Sequence, residues 1–464
     1  MTEDKEMKRF VGSLLLVTFI FSVLSLSSCK KESYEKKIKE GESYQLINAA
    51  DENMAVLDSY TVMNTVKGAV NIAGTYASVE VTETSKFSGM NGDSPAHNSE
   101  TYSTTKGDNS ETAIIKRGWS EGSMYYSYVG SLYDNALYSE ISFDDYRKHY
   151  EEINESAVDR ILWDEKLTAE DSVVYRDDGG VTVTLSGFND AFYDMILPEL
   201  VFNGVEAITD ITYIEIVFEI SDERLFESTV MTVTFDVDGT ETVFTQESRV
   251  SDINSTTVKD HSVDGYKKID DIRLIDKATR AITAMRVRKS IKATLDIDAA
   301  LISGASTKVY TERDEIAYDR SNGLTYKVTA KTGDTTVNIE YADTVKTVRT
   351  VLDGGDAKTS ETNSRDIKEW AFLLSFLDYG MFNAIYVTDA KRLEDGSITY
   401  VLDINPVTTS ARPAPISGIK MTEIEITLHF VDDTLNTYSA DLEYEGASNG
   451  SVVRYSVKTT CDFD

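Results

Sequence analysis

Apolar residues along this chain recur with two periods. From 291 to 299, Ile291, Ala293, Leu295, Ile297 and Ala299 alternate with Lys292, Thr294, Asp296 and Asp298. Such alternation turns one face of a strand to a core and the other to water, as in an antiparallel sheet. The pattern continues through Leu324, Tyr326 and Val328, then Val337, Ile339 and Tyr341, then Ile398, Tyr400, Leu402 and Ile404. A closing meander follows: Ile424 to Phe430, Tyr438 to Tyr444 and Val453 to Val457, each alternating. The first half has its own copies in Ile214, Ile216, Phe218 and Ile220, then Met231, Val233, Phe235 and Val237.

The second period is helical. Ile47, Ala50, Met54 and Leu57 mark one helix face, and Ile275, Ala278, Ile282 and Met285 repeat that spacing 228 residues later. Ser142 is a candidate N-cap, with Asp144 and Asp145 in the first turn of the next helix. Its face, Phe143, Tyr146, Tyr150 and Ile153, is matched by Ile367, Trp370, Leu374 and Leu377 at an offset of 224. Asp178-Gly179 and Asp395-Gly396 match at 217, and Ile214-Glu215-Ile216 and Ile424-Glu425-Ile426 at 210. Four ordered matches with a smoothly drifting offset predict two copies of one α+β domain, each a helix-covered antiparallel sheet. The copies are expected at 44–254 and 269–464. The stretch 255–268, polar and without apolar period, is expected to be an exposed linker.

The N-terminus carries a targeting pattern. Lys8 and Arg9 precede an apolar run from Phe10 to Leu26, which ends in Leu26-Ser27-Ser28-Cys29. A basic segment, an apolar stretch and small residues form a secretory signal, and the run is shorter than the ~20 residues that span a bilayer. The last four residues resemble the lipobox of bacterial lipoproteins. That resemblance implies that residues 1–28 are a signal peptide and that Cys29 is lipidated, leading the mature chain. Residues 29–43 then read as a solvated tether of mixed charge. The expected location is the cell membrane, lipid-anchored on its extracytoplasmic face, at the cell surface or in the periplasm.

With the lipobox, the order of elements in each copy resembles the LolA/LppX-like lipoproteins and lipoprotein carriers. The resemblance implies a curved half-barrel sheet closed by helices, and a lipid or acyl ligand held between them. Ile291, Leu295 and Ile297 on the sheet, with Leu374 and Leu377 on a covering helix, are the candidate ligand-lining residues.

Charge and composition narrow the partners. The chain has 464 residues, 41% hydrophobic and 27% charged, enough for packed cores. Its formal net charge of -33 repels phosphate backbones and excludes nucleic acid as a partner. The acidity is concentrated early: residues 30–264 hold 45 acidic against 18 basic side chains, residues 265–464 only 31 against 25. Two cysteines exclude a disulfide scaffold and multi-cysteine metal sites, and Cys461 is expected to be buried on the last strand.

Catalytic patterns are missing from the sequence. His97, His149, His261 and His429 stand too far apart for a zinc motif, and His149 and His429 are expected at the surface. Asp236-Val237-Asp238-Gly239 lacks the ligands of a calcium loop. It reads as a type I′ hairpin turn, as do Asp177 to Gly180 and Gly354 to Asp356. No nucleophile elbow, P-loop or dinucleotide fingerprint is present, so no metal, cofactor or reaction is assigned. The leading expectation is a non-catalytic lipoprotein binding an apolar or lipid-like ligand. A surface scaffold without ligand is the alternative, and an extracellular hydrolase a more distant one.

Overall fold

A computed structural model describes residues 43–72, 75–92, 95–106, 111–130, 134–157, 168–189, 192, 210–237, 240–286, 290–303, 306–319, 323–332, 335–342, 345–352, 358–363, 386–403, 420–431, 434–448 and 451–463. The chain divides into two compact units, Met1–Lys268 and Ile269–Asp464. Helix α1 (Ser43–Met54) opens the first, and its buried Leu46, Ile47, Ala50 and Met54 recur at helical spacing. Six strands follow: β1 (Tyr60–Ile72), β2 (Thr75–Ser88), β3 (Ala96–Lys106), β4 (Glu111–Ser120), β5 (Ser123–Val129) and β6 (Asp134–Glu140). After helix α2 (Phe143–Ala157) come β7 (Thr168–Tyr175), β8 (Val181–Phe188), β9 (Asp210–Ile220), β10 (Phe226–Val237) and β11 (Thr240–Ser251). Ser142 caps α2: its hydroxyl accepts the Asp145 N–H at 3.1 Å and donates to the Asp145 carboxylate at 2.7 Å.

These strands form one sheet in the order β6-β5-β4-β3-β2-β1-β11-β10-β9-β8-β7, with the short β12 (Lys267–Lys268) parallel to β6. Within β1 to β11, each neighbouring pair joins consecutive strands except the central β1 and β11. The chain therefore walks outward from the middle to β6, crosses by way of α2 to the far edge, and walks back.

The second unit begins with α3 (Arg273–Arg286), followed by β13 (Ser290–Ser303), β14 (Ser306–Asp319), β15 (Gly323–Thr332), β16 (Thr335–Ala342), β17 (Val345–Leu352) and β18 (Lys358–Asn363). It closes with β19 (Val387–Arg392), β20 (Ile398–Leu402), β21 (Lys420–Val431), β22 (Thr434–Ser448) and β23 (Ser451–Phe463). Its sheet runs β18-β17-β16-β15-β14-β13-β23-β22-β21-β20-β19. Taken strand for strand, this is the order of the first unit, with β13 and β23 as the central pair.

One turn shows the correspondence at atomic detail. Between β7 and β8, the Gly179 N–H donates to the Arg176 carbonyl at 3.1 Å, and Asp178 Oδ1 accepts the Gly180 N–H at 2.8 Å. Between β19 and β20, Gly396 donates to Leu393 at 3.0 Å, and Asp395 Oδ1 accepts the Ser397 N–H at 3.0 Å. Gly179 and Gly396 have φ of 89° and 86°, and neither aspartate has a positive φ. The expected type I′ turn needs positive φ at both central residues, so these are type I turns closed by a left-handed glycine.

The α+β expectation, a half-barrel sheet covered by helices, is corrected. The protein is mostly β, with two large sheets and three helices among the described residues. The reason is one of scale. Eleven strands at ~4.8 Å spacing extend across roughly 48 Å, whereas a 12-residue helix such as α1 is about 18 Å long. The stripe of α1 and its match at Ile275 and Ala278 of α3 are buried, but each helix meets only part of its sheet: α1 packs on β7 to β10, and α3 on β19 and β22. The stripe Ile367, Trp370, Leu374 and Leu377 lies outside the described residues.

The stretch 255–268 belongs to the first unit; most of its residues are exposed, and several bond back onto that unit. Approaching it, the Asn254 N–H donates to the Ser59 carbonyl at 2.7 Å. The Thr256 and Thr61 hydroxyls share a 2.9 Å bond, and Val258 N–H donates to Ser88 Oγ at 3.1 Å. His261 stacks on Tyr125, ring centroids 3.8 Å apart. Lys268 then pairs with Glu140 at 2.8 Å as β12 joins the edge.

Candidate functional site

Of the candidate ligand-lining residues, Ile291, Leu295 and Ile297 occupy alternate positions on β13, one of the two central strands. Leu295 is in register with Asp314 on β14 and Cys461 on β23, and Ile297 with Glu312 and Thr459. Ala293 on the same strand, and Cys461, Tyr438, Ala440, Ile426 and Leu428 farther along the same rows on β23, β22 and β21, are buried, Cys461 on the last strand as expected. Leu374, Leu377 and the lipidation residue Cys29 lie outside the described residues.

The first unit shows a constellation that sequence reasoning missed. Asn64 on β1 is in register with Glu83 on β2, and Glu83 with Thr101 on β3. On the other side Asn64 faces Ser248 of β11, which faces Thr229 of β10. Flanking rows add Ser85 and Ser99 on one side, and Gln246 and Ser103 on the other. All these residues are buried, Asn64 at 4% exposure and Glu83 at 0%. One face of the sheet thus carries a buried polar row across five adjacent strands, β10-β11-β1-β2-β3, flanked by mixed rows in which Val62, Val66, Val81 and Met231 are also buried.

A single ion pair sits in this row. Arg117 reaches from β4 across β3 to Glu83, with Nη2 3.0 Å from Oε1, and its Nε donates to Ser99 Oγ at 3.1 Å. Burial pushes the Glu83 carboxyl above the ordinary carboxylate range, although Arg117 pulls the other way. The Asn64 carboxamide favours the charged carboxylate but stands outside hydrogen-bond geometry with it. Glu83 Oε2, both polar atoms of the Asn64 side chain and His97 Nε2 have no hydrogen-bond partner. Most buried polar atoms in folded proteins are satisfied, so this grouping requires an explanation.

An aromatic cluster flanks the row where α2 docks. His97 stacks on Phe87 with centroids 4.3 Å apart, and Phe87 on Tyr60 at 4.8 Å. His97 Nδ1 and the Tyr146 hydroxyl on α2 are 2.5 Å apart, while Trp119 Nε1 donates to the Ile141 carbonyl at 3.1 Å. Burial and the nearby Arg117 charge push the His97 ring down to about 3, so it is neutral at any ordinary pH. His149, expected at the surface, is buried on α2 at 4% exposure. His429 is half-exposed on β21, 3.9 Å from Asp395.

The missed constellation left little trace in the sequence. After Ala96, the buried positions on β3 alternate as His97, Ser99, Thr101 and Ser103, while the apolar Tyr102 is 48% exposed. An alternation reading would turn that strand the wrong way round. The one available signal was Glu83 itself, the acidic member of an otherwise uncharged series of alternate positions, Val81, Glu83, Ser85 and Phe87.

No family model matches the chain, and no curated protein matches it. Among solved structures it is similar to a double mutant of the vaccine antigen transferrin binding protein B from Haemophilus parasuis. There the identity is 8% and the TM-score 0.16, covering 87% of this chain and 76% of that one. The beta domain of the Bordetella autotransporter Brka gives 6% identity and a TM-score of 0.12, covering 88% and 99%. Pseudomonas aeruginosa OccK10 gives 8% and 0.11, covering 88% and 99%. Likeness at this level carries no argument, and function rests on the chain's own residues.

Proposed function

We propose that the chain is a lipid-anchored protein of the bacterial envelope that binds an apolar or lipid-like ligand and performs no reaction. Anchoring is supported by Leu26-Ser27-Ser28-Cys29 at the end of the apolar run. A diacyl group at Cys29 supplies the two chains that stable membrane attachment needs. It would hold the protein on the extracytoplasmic face, at the cell surface or in the periplasm.

The ligand reading is carried by one observation: the second unit has the strand order of the first but carries Leu295 on its central strand where the first has Asn64. Counting from the hairpin pairs Ile72 with Thr75 and Ser303 with Ser306, Leu295 takes the place of Asn64, and Ile297 that of Val66. Ile291, Leu295 and Ile297 are the residues proposed to meet the ligand. Each CH₂ buried against such a face contributes about 0.8 kcal/mol, so an acyl chain binds measurably.

Two measurements test the proposal. Labelled palmitate should enter the wild type and not Cys29→Ala. A fluorescent fatty acid should bind the full chain saturably, and Leu295→Arg should weaken it at least tenfold without changing the far-ultraviolet circular dichroism. Label retained by Cys29→Ala refutes the anchor. Absence of saturable binding refutes the ligand and leaves a surface scaffold.

A further inference from the structure

We infer that the strap 255–268 is an acid-released latch: protonation of His261 loosens it from the first unit and lengthens the free connection to the second. The device is independent of the ligand and the anchor proposed above.

The middle of the strap is held by an aromatic cluster. The Tyr266 N–H donates to the Val263 carbonyl at 3.0 Å, and Gly265, with φ of 83°, turns the chain there. That turn returns Tyr266 to His261, where the rings meet edge to face at 5.4 Å and the Tyr266 hydroxyl lies 3.0 Å from Nε2. His261 in turn lies flat on Tyr125 of β5, with centroids 3.8 Å apart and planes 15° from parallel. Its backbone N–H donates to Ser120 Oγ on β4 at 3.3 Å. Tyr125 beneath it is buried, whereas Lys259, Asp260, Ser262, Asp264 and Gly265 are exposed. His261 is thus where an otherwise solvated segment is held.

The surroundings of the ring disfavour a positive charge. Burial in the stack, and then the Lys116 ammonium on β4, push the imidazole below its ordinary value of 6.5. Glu100 on β3 pairs with Lys116 at 3.5 Å and offsets part of its charge. The Tyr125 hydroxyl is itself pushed up by burial, and Tyr138 of β6 is in register with it. Arg117 of β4 is engaged with Glu83, Glu121 in the next turn is exposed, and Lys268 is paired with Glu140 at 2.8 Å. A charged imidazole would gain some attraction to the Tyr125 face, but the downward direction shows that burial and Lys116 outweigh it.

The docked strap therefore holds a neutral ring, while a lifted strap takes up the proton at the ordinary value. Docking is at full strength above pH 6.5 and weakens as pH falls from there through the lowered value. The holds on either side, Thr256 on Thr61 and Lys268 on Glu140, contain no histidine, so the segment between them loosens first. Once lifted throughout, residues 255–268 extend at most roughly 50 Å, which lengthens the connection while both sheets stay folded.

Hydrogen exchange of the full chain at pH 7.5 and 5, corrected for the intrinsic pH dependence of amide exchange, tests the latch. Protection of 257–266 should fall several-fold at the lower pH, while the amides of β1 and β2, which report global opening, stay protected. His261→Phe keeps a ring on Tyr125 but has no proton site, so its strap should keep equal protection at both pH values. A second measurement needs no folded variant: the His261 ring resonance should titrate below 6.5 in the wild type. The inference is overturned if strap protection in the wild type is the same at both pH values, if His261→Phe loses it as the wild type does, or if the ring titrates at or above 6.5. Fatty-acid binding and palmitate labelling report on neither result, so this inference and the proposed function can fail separately.

Discussion

β1 and β13 stand at the same place in two sheets of the same strand order, each between its following hairpin partner and the last strand of its unit. One carries Asn64 where the other carries Leu295. Around Asn64 lie an ion pair and hydroxyls. Around Leu295 lie Cys461 and Tyr438, both buried. The comparison teaches that the sheet's order is set by hairpins, turns and the closing pair, while the central inner row is free to vary. What varies freely within a fold is where function is carried.

The largest test of that contrast is acid. His97 stays neutral in the folded protein down to about pH 3, whereas its ordinary value is 6.5. Between those values the unfolded chain holds the extra proton. The first unit should therefore lose stability as pH falls from 6.5 toward 3, by on the order of 5 kcal/mol in total. Glu83 acts in the opposite sense, because its raised value makes the folded state take up the proton first as pH falls. Denaturant unfolding of wild type against His97→Gln, at pH 4 and 7, separates the two. The pH dependence of the first unit's transition should shrink in the variant, and an undiminished dependence would remove His97 from the comparison.

Next is the ion pair. Arg117→Met leaves Glu83 buried without its partner and should cost about 3–5 kcal/mol in the first unit. The loss should be smaller at pH 4 than at pH 8, since a protonated Glu83 needs no counter-charge. A pH-independent loss would show that Arg117 acts by packing alone.

A smaller effect sharpens the likeness of the units rather than their difference. Gly179→Ala and Gly396→Ala each place a side chain at positive φ, for about 1 kcal/mol. A Cβ at 396 meets nothing within 4 Å, but one at 179 lies 3.1 Å from Asp222 Cβ, so the first substitution should cost more. Thermal unfolding of the two variants measures this, and equal costs would mean that the Asp222 side gives way freely.

Smallest is the strap. Thr256→Val removes its bond to Thr61 and should cost about 1 kcal/mol. Limited proteolysis should spare 255–268 in the wild type and cut it sooner in the variant. Early cleavage there in the wild type would restore the free-linker reading.

How much was legible depended on how local each signal was. Ser142 and Asp145 begin a helix through bonds three residues apart, and they were readable from the sequence. The Asp178-Gly179 and Asp395-Gly396 turns were readable as turns, though not by type, because the sign of φ at an aspartate is not written in its identity. The amount of helix was misjudged, since a helical stripe announces an element without saying how much sheet it can cover. The bonds that residues 255–268 make were not readable, because their partners, Thr61, Ser88 and Tyr125, lie far back in the chain.

By itself, then, the sequence determined the strand alternation, the helix start, the turns and the order in which matching landmarks recur, each settled within a few neighbouring residues. Tertiary structure alone decided which face of β3 is interior, that β1 closes on β11, and that Asn64, Glu83 and His97 are buried. Alternation tells which residues share a face, but only an apolar face names itself as the inner one. Where the inner face is Ser99, Thr101 and Ser103 and the outer carries Tyr102, burial is assigned by the strands on either side, from Ile115 on β4 to Phe218 on β9, and not by the strand itself.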